Sequence, residues 1–158
     1  FKRGTRRVWG YHIGVRKLLP FFKRLDISFS RQPKPPIWCK EEPKFFGAYM
    51  AGVIDGDGDV RIKRKRYPQC VVRITSGRKQ YELAKAIGEI LKCSVAVTFR
   101  KGERVLKARK IHGAWSETEF YVSSKNYEFI KQFVLPHLML PYKKEKLQTF
   151  IGSKWSSA

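Results

Sequence analysis

The chain has 158 residues, enough for one ordinary domain with or without an appendage. Its 34 Lys and Arg outnumber 13 Asp and Glu, so the formal charge is +21, yet 42% of the residues are hydrophobic and 14% are aromatic. The apolar content excludes a purely basic disordered tail, because such a chain can bury a core. No run of about 18 apolar residues occurs, so we expect no membrane span. The charge indicates an anionic partner, and nucleic-acid phosphates are the leading candidate.

Residues 1–44 read as a basic N-terminal extension, with 12 basic and 3 acidic residues. Apolar residues between Val15 and Leu25 have helical spacing, but Pro20 is expected to interrupt it. The segment 32–36 (QPKPP) and Pro43 predict an extended linker. The extension could pack its aromatic residues on the following domain, lie along phosphates, or do both.

A regular pattern begins at residue 45 and defines a domain over residues 45–158. It predicts a helix over 45–54, strands over 60–66 and 69–75, a helix over 78–92, strands near 95–99 and over 118–123, a helix from Ser124 to Leu135, and a last helix from Pro141 to Ile151. Residues 100–117 are either a basic loop or a strand extension. The order αββαββα plus a small final helix predicts a mixed α+β fold, with one four-stranded antiparallel sheet and helices on one face.

The cysteine and histidine pattern argues against a zinc-binding or disulfide-stabilised protein. The three Cys and three His residues show neither CxxC nor HxxxH spacing, so a zinc site is disfavoured and reduced thiols are expected. No signal-peptide pattern is visible near residue 1. We therefore expect an intracellular protein, in the cytoplasm of a prokaryote or in an organelle, and not a secreted one.

The segment 50–58, MAGVIDGDG, is the most informative stretch, and small residues surround it. Two pairs of small residues stand four apart: Gly47 with Ala51, and Ala48 with Gly52. Such pairs let a helix backbone approach another backbone closely. Tight packing on the chain's own sheet would use them too, but the doubled spacing favours a contact between two chains.

Asp55 and Asp57 stand where this helix is expected to end. The helix dipole disfavours carboxylates there, so they call for a cation or a hydrogen-bond donor. Hard cations such as Mg²⁺ prefer oxygen ligands, and the flanking glycines expose carbonyl oxygens. A plain turn would also use Asp and Gly. An EF-hand is disfavoured because Lys and Arg follow instead of further ligands.

MAGVIDGDG resembles the LAGLIDADG motif of homing endonucleases, and the element order after it matches that family's unit over about residues 45–151. Members with one motif are homodimers, so the resemblance implies a homodimer whose four-stranded sheets form a saddle over the DNA major groove. The motif helices would pack at the dyad, with Asp55 bonding backbone near the helix ends. The implied interface residues are Gly47, Ala48, Ala51, Gly52 and Asp55.

The resemblance also implies a catalytic site. Asp57 from each subunit would hold Mg²⁺ at the scissile phosphates, with the Gly56 carbonyl as a further ligand. Around the attacking water it implies Ser76, Lys79 and Lys143. Ser76 departs from the family, where glutamine is common, and both lysines could instead be solvated residues at helix ends.

Alternation along the strands predicts one face that reads DNA. Arg can bond guanine bidentately, Gln can bond adenine, and Val or Thr can contact a thymine methyl. The predicted DNA-binding residues are Arg61, Lys63, Lys65, Gln69, Val71, Arg73, Thr75, Thr98, Arg100, Glu119 and Tyr121. Basic residues of the 100–117 stretch are expected to contact phosphates, namely Arg104, Lys107, Arg109 and Lys110.

The charge, the motif and the element order favour a metal-dependent DNA endonuclease. The resemblance implies that it cuts both strands of a long, near-palindromic DNA site, leaves short 3′ overhangs and serves intron homing. Two alternatives remain open. One is an RNA maturase, a splicing cofactor of intron RNA on the same fold, which needs no cleavage. The other is a basic RNA-binding protein without catalysis, which would leave the glycine-rich helix with its paired Asp residues unexplained.

Overall fold

The computed structural model describes residues 15–27, 34–63, 66–76, 80–106 and 109–155, with backbone alone at 103–106 and 109–112. A 3-10 turn, Val15–Lys17, precedes α1 (Leu19–Arg24), α2 (Ile37–Glu41) and α3 (Pro43–Asp57). Then come β1 (Gly58–Lys63), β2 (Gln69–Ser76), α4 (Tyr81–Leu91), β3 (Val95–Leu106) and β4 (Arg109–Val122). The segment α5 (Tyr127–Phe129) continues as a π-helical stretch (Ile130–Val134) and a 3-10 turn (Leu135–His137), and α6 (Pro141–Trp155) follows.

The four strands form one antiparallel sheet in the order β1-β2-β4-β3. Alternate residues point to one face, where Val60, Val72, Ile74 and Phe120 are buried under α3, α4 and α6. The opposite face, called here the outward face, carries the other residue of each pair. The prediction of a mixed α+β fold with a four-stranded antiparallel sheet is therefore confirmed.

The stretch 100–117 forms strand instead of loop. β3 and β4 stay paired from Val95 with Phe120 to Leu106 with Arg109, so the two strands make one long hairpin. Phe99 lies on the helix-covered side of β3 yet is 44% exposed, because the hairpin extends past the helices. The strand alternative is the one that the structure adopts.

Two prolines lie at helix starts, although Pro20 was expected to interrupt a helix and Pro43 to belong to a linker. Pro43 and Pro20 lie in the first turns of α3 and α1, where no intrahelical N–H bond is lost. The short helix α2 packs into the domain core through Cys39, which is 1% exposed and donates its S–H to the Phe45 carbonyl at 3.3 Å. The predicted boundary at residue 44 thus lies inside one packed unit.

Aromatic contacts also join the N-terminal segment to the domain. Trp38 packs edge-on against Phe45 at 5.5 Å between ring centroids, and its indole N–H donates to the Leu25 carbonyl. These contacts agree with the expectation that the extension packs aromatic residues on the domain. The expectation that residues 1–44 lie along phosphates stays a prediction, and residues 1–14 and 28–33 of this segment lie outside the described residues.

The C-terminal helices close the core. Asn126 precedes α5 and fixes its entry, since its side chain accepts from the Ser123 amide and donates to the Tyr121 carbonyl, both at 2.9 Å. This places the helix start two residues later than the predicted Ser124 cap. Pro141 opens α6 as predicted, and the helix runs to Trp155, which stacks on Tyr127 at 4.5 Å. None of the helices in the described ranges is long and apolar enough to cross a membrane.

Candidate active site and outward sheet face

Helix α3 delivers the MAGVIDGDG segment to the start of β1. The helix ends where the Gly58 amide donates to the Ile54 carbonyl. A Cβ at Gly58 would lie 2.6 Å from Ile54 Cα, so a side chain there would clash with the helix that precedes it. Gly56 and Asp57 occupy the last turn and are exposed. The chain therefore presents one carboxylate and one helix-end peptide to solvent at this point.

Asp55 is engaged in holding the chain together. Its Oδ2 accepts from the Met139 amide at 2.7 Å and its Oδ1 accepts from the Leu140 amide at 3.4 Å. These two amides belong to the segment that leads into α6. The contact agrees with the expected role of Asp55 in bonding backbone near helix ends.

The Lys143 side chain is buried and not solvated. It is 3% exposed, and its Nζ donates to the Ile54 carbonyl at 2.6 Å and to the Asp55 carbonyl at 2.9 Å. A positive charge at the C-terminal end of α3 is favoured by the helix dipole, and the Ile54 carbonyl accepts from Lys143 in addition to the Gly58 amide. The contacts make Lys143 a cap of the motif helix, and its role near an attacking water stays a prediction.

Asp57 differs from Asp55 in its surroundings. Within the described ranges no hydrogen bond or ion pair holds its carboxylate. No group of three or more His, Cys, Asp and Glu side chains able to hold a metal occurs there in a single chain. The donors present, a carboxylate and a peptide oxygen, have the hard oxygen chemistry that Mg²⁺ prefers, but a full ligand set needs groups from outside the chain.

The two pairs of small residues on α3 have different environments. A Cβ at Gly47 would lie 2.2 Å from the Phe133 carbonyl oxygen, and Ala51 is fully buried, so this pair packs inside the chain. Ala48 is half-buried and Gly52 is exposed, with nothing described within 4 Å of a Cβ at Gly52. Gly47 and Ala51 are covered by their own chain, so of the predicted interface residues Ala48, Gly52 and Asp55 keep exposed surface.

The outward face mixes charges more evenly than the sequence suggested. Among its described residues are four basic and three acidic side chains: Arg61, Lys63, Arg73, Arg100, Asp59, Glu117 and Glu119. Val71 stands between Arg61 and Tyr121 in the register and is fully buried, so it cannot contact a thymine methyl as predicted. Gln69, Thr98 and Tyr121 are exposed on this face.

Glu117 is the centre of a network on this face. Its Oε2 accepts from Arg73 Nη1 and from Arg100 Nε, each at 3.1 Å, and its Oε1 accepts from Trp115 Nε1 at 3.3 Å. Arg73 also pairs with Glu119 at 3.5 Å. Sequence reasoning missed Glu117 and gave Trp115 no role, because the fourth strand was predicted to begin at 118. Alternation continued backward from Glu119 would have placed both on the outward face.

The side chains of β1 are held by local partners. Lys63 Nζ donates to Tyr121 Oη at 3.0 Å and lies 5.1 Å from the ring centroid, and this hydrogen bond holds the pKa of Lys63 above its ordinary value. Arg61 pairs with Asp59. The basic residues predicted to contact bases on β1 are therefore partly oriented before any ligand arrives.

The remaining predicted residues have simpler placements. Ser76 ends β2 half-buried, opposite Ser116, and Thr75 stands opposite Glu117. Lys65, Lys79 and Lys107 lie outside the described residues, as do the side chains of Arg104, Arg109 and Lys110. Near Ser116, the buried Gln80 accepts a hydrogen bond from Thr118 at 2.8 Å.

Comparison with known proteins adds no family to this description. No protein-family model matches the chain, and no curated protein sequence matches it significantly. The likeness to LAGLIDADG homing endonucleases therefore rests on the MAGVIDGDG segment and on the order of helices and strands after it.

Proposed function

We propose that this chain is a site-specific double-strand DNA endonuclease of the homing type, active as a homodimer with Mg²⁺. The observation that carries the proposal is the difference between the two Asp residues of MAGVIDGDG. Asp55 is bound to the amides of Met139 and Leu140, whereas Asp57, two residues on, is exposed at the end of the helix. The contacts within the chain account for Asp55, and the exposure of Asp57 supports a role in binding a ligand.

The charge balance makes a cation the natural ligand of Asp57. A carboxylate in the last turn of a helix is disfavoured by the dipole, and Lys143 is already bonded to the carbonyls of Ile54 and Asp55. Asp57 and the Gly56 carbonyl would hold the ion, together with the partner's Asp57 and phosphate oxygens. When bound, the ion supplies a nucleophilic hydroxide and stabilises charge at the scissile phosphate. Asp55 and Lys143 keep Asp57 in place by tying α3 to α6.

The open side of α3 supports a homodimer. Phe45, Ala48, Gly52 and Gly56 recur at helical spacing along one side, and Phe45 is 42% exposed. Small residues there would let the helix of a second copy approach closely, which brings the two Asp57 side chains near each other. A symmetric dimer reads a symmetric site, so the proposed target is long and near-palindromic. By resemblance, cleavage leaves short 3′ overhangs and the biological role is intron homing.

The test is cleavage of a plasmid that carries the uninterrupted insertion site of the intron that would encode this chain. We expect a double-strand cut with Mg²⁺ and intact plasmid with EDTA. Asp57→Asn should lower the cleavage rate by a factor of at least about 100, because the amide keeps the shape of the carboxylate but not the charge that holds the ion. DNA binding by this variant should persist.

Glu89→Gln provides the matched control, since it removes one negative charge from an exposed position on α4 and should leave cleavage unchanged. Intact DNA in all lanes, under conditions where the protein binds that DNA, would overturn the proposal. Tight binding to the intron RNA in that case would favour the maturase alternative.

A further inference from the structure

We propose that Glu117 is a positioning residue for DNA recognition, which orients Arg100 to read bases on the outward face. Arg73, on the opposite side of β4, bonds the same carboxylate. The inference rests on the proposed function, because it concerns how the same face recognises DNA. It starts from the burial of Glu117, whose side chain is 7% exposed although its strand face is open to solvent.

The buried carboxylate is fully committed to neighbours. Two arginines and one indole donate to its two oxygens over 3.1–3.3 Å. Burying a carboxylate is costly unless donors compensate it, and here three do. The arrangement fixes the rotamers of three flexible or large side chains at once, which reduces the entropy that a ligand would otherwise have to remove.

The two arginines differ in what they present. The Arg73 side chain is 14% exposed and pairs with both Glu117 and Glu119, so its guanidinium is used within the sheet. The Arg100 side chain is 55% exposed and donates to Glu117 through Nε. More than half of the Arg100 side chain is therefore open to solvent while its Nε is bonded, and the hydrogen bond to Glu117 uses Nε alone. A guanidinium held at Nε keeps two further nitrogens with donors, which suit the bidentate contact that arginine makes with guanine O6 and N7.

The acidic residues on the outward face favour a role in recognising bases over a role in attracting phosphates. Adding acidic partners to a face that binds DNA lowers its non-specific attraction for phosphates, which costs affinity for every sequence equally. A carboxylate buried among arginines is explained if it improves the discrimination between bases by fixing donor geometry. The rest of the +21 chain supplies the general attraction.

The experiment is selection by wild-type protein and variants from a pool of DNA duplexes with a randomised central segment, followed by binding to the winners and to an unrelated duplex. We expect Glu117→Gln and Arg100→Gln to lower the discrimination at the same base pairs, roughly five- to tenfold, as the loss of one bidentate contact does. Combining them should add little, since both remove one interaction. Binding of Glu117→Gln to the unrelated duplex should not weaken, because the change adds positive charge.

Glu89→Gln is the control, with the same charge change at a side chain 61% exposed on α4. A Glu117→Gln variant that keeps the wild-type base preferences would overturn the inference. If that variant does not fold, Arg100→Gln decides, and unchanged base preferences in it would overturn the inference as well. A wild-type protein that enriches no duplex would instead contradict DNA recognition itself, and a selected duplex that is bound but never cut would contradict the endonuclease alone.

Discussion

Individual residues of the motif segment have different duties, although their types are alike. Asp55 and Lys143 make reciprocal contacts between the end of α3 and the start of α6. The carboxylate binds amides that precede α6, and the ammonium binds carbonyls that end α3. The contacts tie the end of α3, where Asp57 lies, to the start of α6, and a carboxylate in a plain turn would lack this support.

The first prediction concerns Lys143. Lys143→Met should lower the free energy of unfolding by about 2 kcal/mol, because the carbonyls of Ile54 and Asp55 lose a charged donor in a buried place. Urea unfolding measures the change. Lys154→Met, at an exposed position of the same helix, should stay within about 0.5 kcal/mol of wild type. Equal stability of the two variants would contradict the capping role.

In helix α3 the two pairs of small residues have different environments, which the sequence pattern did not distinguish. Its two pairs of small residues look equivalent in the sequence, but Gly47 and Ala51 face Phe133 and the core, whereas Ala48 and Gly52 face outward. The pair Gly47 and Ala51 therefore makes a contact within the chain, and the side of α3 with Ala48 and Gly52 stays open.

Glycine substitutions on the two sides should have different effects. Gly47→Ala should cost about 1–3 kcal/mol of stability, because its Cβ would overlap the Phe133 backbone and the helices must separate. Thermal and urea unfolding would show this. Gly52→Leu should retain the fold, because the space beyond it is open within the described part of the chain.

The same Gly52→Leu variant tests the proposed dimer. Sedimentation should show wild type as a dimer and the variant shifted toward monomer, since the larger side chain prevents close approach of two α3 helices. A wild-type protein that is monomeric both in solution and on DNA would contradict the homodimer.

At the scale of the whole molecule, buried thiols and a buried phenol link stability to pH. Burial raises the pKa of Cys70 to about 12 and of Cys39 to about 11, from an ordinary value of 9.0. Burial, with Cys39 nearby, raises the pKa of Tyr49 from 10.0 to about 12. The folded state thus keeps protons that the unfolded state releases above pH 9.

We therefore expect the free energy of unfolding to carry the full contribution of these groups below pH 9 and to decrease between pH 9 and pH 12. Urea unfolding across this range measures the decrease. Cys70→Val should flatten it, because the group with the largest change in proton affinity is removed. An undiminished slope in that variant would show that Cys70 does not carry the dependence.

Local patterns in the sequence were sufficient for α3, α4 and α6, the strand alternation and the MAGVIDGDG segment, because these depend on neighbours within a few residues. They did not predict α2, which lies between the prolines read as a linker. Pro141 opened its helix as predicted, and Val72 and Ile74 faced the core as alternation required. The length of the β3–β4 hairpin was less accessible, since Gly102, Gly113 and many charged residues weaken the alternation that marks a strand.

The sequence by itself determined a basic chain, an alternating sheet and a glycine-rich helix that ends in two Asp residues. The tertiary structure decided how they are used. It buried Val71, joined Glu117 to two arginines, bonded Lys143 to the end of α3 and separated Asp55 from Asp57. The physical reason is that each of these outcomes depends on groups distant in sequence, whose distances are set by packing and by strand register.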